Sequence, residues 1–136
     1  YVLLTKDGRN VGEQKTQAWP DELNEYDGGA IRDLGDDGMI YMINYDNTYH
    51  VKYRLQQRGD IARDVITEKY ILGMRILMMG YEHAFRTLRE ASQEGIAEYL
   101  DEFRRMAARG AASTVLALAE NLPKIVDTSS VSADVE

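Results

Sequence analysis

The hydrophobic positions of this chain change period between residues 55 and 60, from the alternation expected of strands to the three- and four-residue steps of helices. Tyr1-Val-Leu-Leu-Thr5, the turn Lys6-Asp7-Gly8-Arg9 and Asn10-Val11 predict a first hairpin, because Asp-Gly supplies the positive φ of a tight two-residue turn. Residues 12–29 carry Trp19-Pro20 and Asp27-Gly28-Gly29 with little periodicity, the pattern of an irregular connection that Trp19 pins to the core. A second hairpin is expected from Ala30–Leu34, the turn Gly35-Asp36-Asp37-Gly38 and Met39–Ile43. Its second strand is apolar on both faces, so it is central or covered on both sides. Tyr49, Val51, Tyr53 and Leu55 alternate with His50, Lys52 and Arg54, which fits a further strand; the same residues fit the opening of a helix.

Asp60 is placed to N-cap a helix reaching about Glu90. Ile61, Val65, Leu72, Ile76 and Met79 mark one stripe of it, and Ala62, Ile66, Tyr70, Gly73, Leu77, Tyr81, Ala84 and Leu88 a second. Between Tyr70 and Tyr81 the only charge is Arg75, so the helix is apolar almost all round and is expected to be enclosed by other elements. A third segment, from about Ser92 to Arg109, aligns Ile96, Leu100, Phe103 and Met106, with Gly110 ending or bending it. Ala111–Asn121 continues through Val115, Leu118 and Leu122 to Pro123, and Ala107, Ala108, Ala111 and Ala112 permit close helix packing. The expected fold is α+β: a small antiparallel sheet of two hairpins packed on a C-terminal helical bundle. One domain spans 1–126, strand-rich over 1–55 and helical over 60–126, followed by a flexible tail, 127–136.

Composition narrows the function classes. The 136 residues are 44% hydrophobic and 29% charged, the balance of a globular domain able to bury a core. A net charge of −7 opposes binding to a phosphate backbone. Arg104, Arg105 and Arg109 cluster on one predicted helix, but a solvated face accounts for them more simply. The absence of cysteine excludes disulfides and thiolate chemistry. The apolar run of the long helix is too short to span a membrane, which takes about 20 apolar residues. No targeting segment is visible, so a cytoplasmic location is expected. The chain opens on Tyr1 rather than Met, which suggests a piece of a longer protein.

The densest polar chemistry follows the central strand, at Asn44, Asp46, Asn47 and His50. Oxygen ligands beside an imidazole could hold a hard divalent cation or position a water, making Asp46 and His50 the candidate catalytic and metal-binding residues of a small metal-assisted hydrolase. Asp36 and Asp37, at the far end of the same strand, would have to join them from on the order of 20 Å away. The competing reading is turn chemistry, in which Asn and Asp bond local backbone and end a strand or cap a helix. His83 lacks the second histidine of a His-Glu-x-x-His site, and no phosphate-binding glycine loop or serine-nucleophile elbow occurs, so no cofactor is assigned. Tyr70, Met74, Leu77, Met78 and Tyr81 are the candidate interaction residues of the long helix, which would serve homo-oligomerisation or docking to the rest of a parent protein.

The run Met39-Ile-Tyr-Met-Ile-Asn44-Tyr-Asp46-Asn47-Thr48-Tyr49-His50 resembles a segment that follows the ATPase module in multidomain proteins of the histidine-kinase/gyrase/Hsp90-like (GHKL) class. There a strand ending in Asn-x-Asp-His-Pro-aromatic leads into a long helix. Asn44, Asp46 and Tyr49 match, while Asn47-Thr48 replaces His-Pro. The resemblance covers about a dozen residues and implies an accessory domain whose nucleotide site lies outside this chain. The function expected is therefore a non-catalytic assembly or interaction domain of a larger protein, with the metal-assisted hydrolase as the alternative.

Overall fold

A computed structural model describes residues 1–91, 102–103 and 105–118. The elements run β1 (Val2–Thr5), β2 (Gln17–Ala18), β3 (Gly29–Asp33), a 3-10 turn (Gly35–Asp37), β4 (Met39–Asn44), α1 (Thr48–Gln56) and α2 (Asp60–Ala91). Residues 105–118 form a further helix, α3. Strands precede helices, so the fold is α+β as expected, but the sheet is mixed rather than antiparallel. Its order is β2-β1-β4-β3.

Only the second expected hairpin forms. β3 and β4 pair antiparallel from Gly29↔Ile43 to Asp33↔Met39, closed by the Leu34 N–H donating to the Gly38 carbonyl at 2.8 Å. β1 instead lies parallel to β4, with Val2 opposite Met42, and parallel to β2, with Leu4 opposite Gln17. Gly8 does adopt a positive φ of 77°, yet the chain after it does not return along β1. The Arg9 side chain swings across to Asp46, and its carbonyl accepts from Thr16 Oγ1 at 2.6 Å. Val11 is thereby left to pair only with Gln14.

β1 and β4 are the inner strands and are apolar on both faces. Leu3, Ile31 and Ile43 face the helices, while Leu4 and Met42 meet Leu23, with Trp19 packed beside them under the connecting loop. On the helical side, Ile66, Tyr70, Ile71, Met74 and Met78 of α2 close on the sheet together with Ala108, Ala111, Ala112, Val115 and Leu116 of α3. Small residues set the spacing: a Cβ at Gly73 would strike Val115, and one at Gly28 would strike the Ala112 backbone. α3 runs unbroken through Gly110, which therefore does not end it. Phe103 and Met106 are exposed, so these two members of the expected stripe do not reach this core. Ile96, Leu100, Leu122, Pro123 and the tail fall outside the described residues.

The open choice for residues 49–55 resolves to helix. Asn47 decides it, since its Oδ1 accepts from the N–H groups of Tyr49 and His50, an N-cap worth about 1 kcal/mol. Alternation would have buried Tyr49 and Leu55 with Val51; both are exposed, and His50 is buried instead. α2 is 32 residues long, about 48 Å at ~1.5 Å per residue. No helix among the described residues is long and apolar enough to cross a membrane.

Candidate functional site

The polar cluster after β4 is where the sheet hands the chain to the helices, and its side chains are spent on that junction. Asn44 is fully buried at the end of β4. Its Oδ1 accepts from Trp19 Nε1 at 2.8 Å, and its Nδ2 donates to the carbonyls of Asn24 and Asp27 at 3.1 and 2.8 Å. Asn47 Nδ2 donates to the same Asp27 carbonyl at 3.1 Å. Two buried amides thus satisfy the backbone of a loop that has no strand to bond, as burial of polar groups requires.

His50 is enclosed against α2. Its ring stacks on Tyr70, with centroids 4.4 Å apart and planes 12° from parallel, and meets Tyr45 edge-on at 5.0 Å. Nδ1 lies 2.7 Å from the Tyr45 carbonyl, which can only accept, so the proton sits on Nδ1. Nε2 then accepts from Thr67 Oγ1 at 3.1 Å. Burial lowers the imidazole pKa to about 4, overriding the opposing hydrogen bond to Tyr45, so the ring is neutral and both nitrogens are occupied. The Tyr70 hydroxyl, whose pKa burial raises, donates to the Asn44 carbonyl at 2.8 Å, tying α2 to the end of β4.

Asp46 points the other way. Arg9 holds its two oxygens in a bidentate pair, both contacts 2.6 Å, and the Lys6 N–H donates to Oδ2 at 2.9 Å. Burial alone would raise this carboxyl; the Arg9 and Lys6 hydrogen bonds outweigh it and hold the pKa below the ordinary carboxylate value. Asp36 and Asp37 stay in the 3-10 turn at the opposite end of β4. Among the described residues no three His, Asp or Glu side chains gather as a metal site would require. Asp46 and His50 are thus neighbours in sequence that the fold commits to different partners, one to Arg9 and one to Tyr45 and Thr67.

The long helix divides differently from its sequence pattern. Tyr70, Met74 and Met78 have no exposed surface, and Leu77 and Tyr81 pack partly buried against the same core, so the candidate interaction residues line the chain's own interior. The opposite stripe, expected to be enclosed, is bare: Ile61, Val65, Leu72, Ile76 and Met79 are between 47% and 82% exposed. At ~100° per residue these five fall within an arc of about 60°, diametrically across from Tyr70 and Met74. Periodicity found both stripes and could not say which one the sheet covers. The Arg9 guanidinium and the Thr67 hydroxyl, which complete the junction, are not marked by the turn at Gly8 or by the periodicity of α2, because their partners Asp46 and His50 are distant in sequence. No family model, curated protein or solved structure matches the chain.

Proposed function

We propose that this chain is a non-catalytic assembly domain, of the accessory kind implied by the Met39–His50 resemblance, and that the outward stripe of α2 is its docking surface. The observation carrying this reading is the row of five exposed aliphatic side chains along one face of a single rigid helix. Scattered apolar residues on a surface need no explanation; five aligned on one stripe opposite the core, broken by Glu68, do.

A second copy is the occupant this stripe suits. With Glu68 and His83 included, its positions 61, 65, 68, 72, 76, 79 and 83 follow a 4-3-4-4-3-4 spacing that reads the same in both directions from Leu72. A two-fold axis at Leu72 would set two helices antiparallel, Val65 against Met79 of the second copy and Leu72 against itself, the self-complementary contact of an isologous dimer. Glu68 and Arg75 are both exposed on one flank, and the same axis brings each beside the other's counterpart across the interface. Arg75 is already steadied there by Tyr1, whose ring lies 4.7 Å from its guanidinium carbon.

Sedimentation equilibrium tests this reading with Leu72→Glu. Leu72 is 55% exposed, so burying it recovers about 1–1.5 kcal/mol per copy. Losing that twice on the axis amounts to about 2–3 kcal/mol, a Kd weakened by about 100-fold. Folding should be spared because the residue faces solvent in the single chain. A wild type that stays monomeric at all concentrations, or a variant that associates equally well, contradicts the proposal.

A further inference from the structure

Where edge strand β3 meets α3, a cleft of about 500 Å³ is lined by Arg32, Arg105 and Arg109 together with Glu22, Asp33 and the β3–β4 positions Ala30, Ile31 and Met42. Carboxylates outnumber cations in this chain, 23 to 16, so guanidiniums have acids to spare. Five of the other described arginines do use them or stack: Arg9, Arg63 and Arg86 sit on carboxylates, and Arg54 and Arg75 lie over tyrosine rings. Among the described residues none of the three cleft arginines is within 4.0 Å of a carboxylate, although Glu22 and Asp33 line the same cleft. Asp33 is turned to the Gly35 N–H, which it accepts at 2.8 Å.

The walls are fixed relative to each other. The Gly28 N–H, one residue before β3, donates to the Arg109 carbonyl, and the missing Gly28 side chain lets Ala112 close against it. Arg105 stands one helical turn before Arg109 on α3, and Arg32 projects from β3. Three guanidiniums against two carboxylates leave the cleft with an excess of positive charge, and an anion that accepts from several guanidinium forks balances it.

We propose that this cleft binds a small phosphorylated molecule, its phosphate on Arg32, Arg105 and Arg109 and its organic part along the β3 edge at the half-buried Ala30. The volume is that of a small-molecule site. Glu22 and Asp33 and the net charge of −7 would repel a long polyanion, whereas a single phosphate can settle on the guanidiniums alone. The site does not depend on pairing through α2.

Isothermal titration of the full chain with inorganic pyrophosphate, ribose 5-phosphate and a single-stranded oligonucleotide tests it. The proposal expects saturable 1:1 binding of pyrophosphate or ribose 5-phosphate with Kd below about 1 mM, weakened about tenfold or more in each of Arg105→Ala and Arg32→Ala. Both arginines are exposed, so the variants should melt like the wild type. Absence of saturation by either small probe, binding indifferent to both substitutions, or tighter binding of the oligonucleotide than of either small probe would overturn it.

Discussion

Acidification should loosen the fold through His50, and the effect can be sized. Burial lowers its pKa from the ordinary 6.5 to about 4. Between those values the unfolded chain takes up a proton that the folded chain refuses, so stability is complete above pH 6.5 and is lost progressively as the pH falls towards 4. At ~1.4 kcal/mol per tenfold change in proton affinity the loss is about 3 kcal/mol, a large share of the 5–15 kcal/mol typical of a domain. Asp46 acts in a different window. Its lowered carboxyl contributes stability that is present above the ordinary value of 3.8 and disappears only below it. Urea unfolding at pH 7, 5.5 and 4.5 reads the His50 window, and His50→Gln supplies the control. The variant should be weaker at pH 7 by about 1–2 kcal/mol for its lost stacking and hydrogen bonds, yet change much less with pH. Equal pH slopes for the wild type and His50→Gln would refute the enclosed, neutral imidazole.

Other consequences concern Asp46 and β3. Asp46→Ala should cost about 1–2 kcal/mol, since it removes a bidentate pair whose Arg9 partner is half exposed. Thermal melts in millimolar magnesium or manganese should show no specific rise that the wild type has and Asp46→Ala lacks; such a rise would revive the metal-assisted reading. Gly29→Ala should destabilise by about 2–3 kcal/mol or more, because the added Cβ would fall inside contact distance of the Met42 carbonyl oxygen across the β3–β4 pair. A variant that melts with the wild type would show that these strands are not so closely apposed.

How much was legible follows from how local each signal was. The β3–β4 hairpin and α2 were readable, because Gly35-Asp36-Asp37-Gly38 and the periodic run from Asp60 state their geometry within a few residues. The parallel pairing of Val2 with Met42 was not, because it joins positions with no shared turn between them. Asp7-Gly8 misled for the same reason: its backbone turns as expected, but a distant carboxylate, Asp46, decides where Arg9 and the following chain go. Asn47 was correctly suspected of turn or cap chemistry, and that cap is what separates helix from strand at 49–55. In α2 the difficulty was an excess of signal. Both faces are apolar, so only the sheet and α3 reveal that Tyr70, Met74 and Met78 lie inside while Leu72 and its row lie outside.

Cross-linking of single-cysteine variants tests the antiparallel α2 pair most directly, in a chain that has no cysteine of its own. Val65→Cys and Met79→Cys, each alone and then mixed, are treated with a short bis-maleimide. The account predicts covalent dimers in the mixture and few from either variant alone, since residues 65 and 79 are about 21 Å apart along one helix and meet only across the two-fold axis. Efficient linking of Val65→Cys to itself would mean a parallel pair, and no linking in any combination would mean that the exposed face of α2 does not meet a second copy.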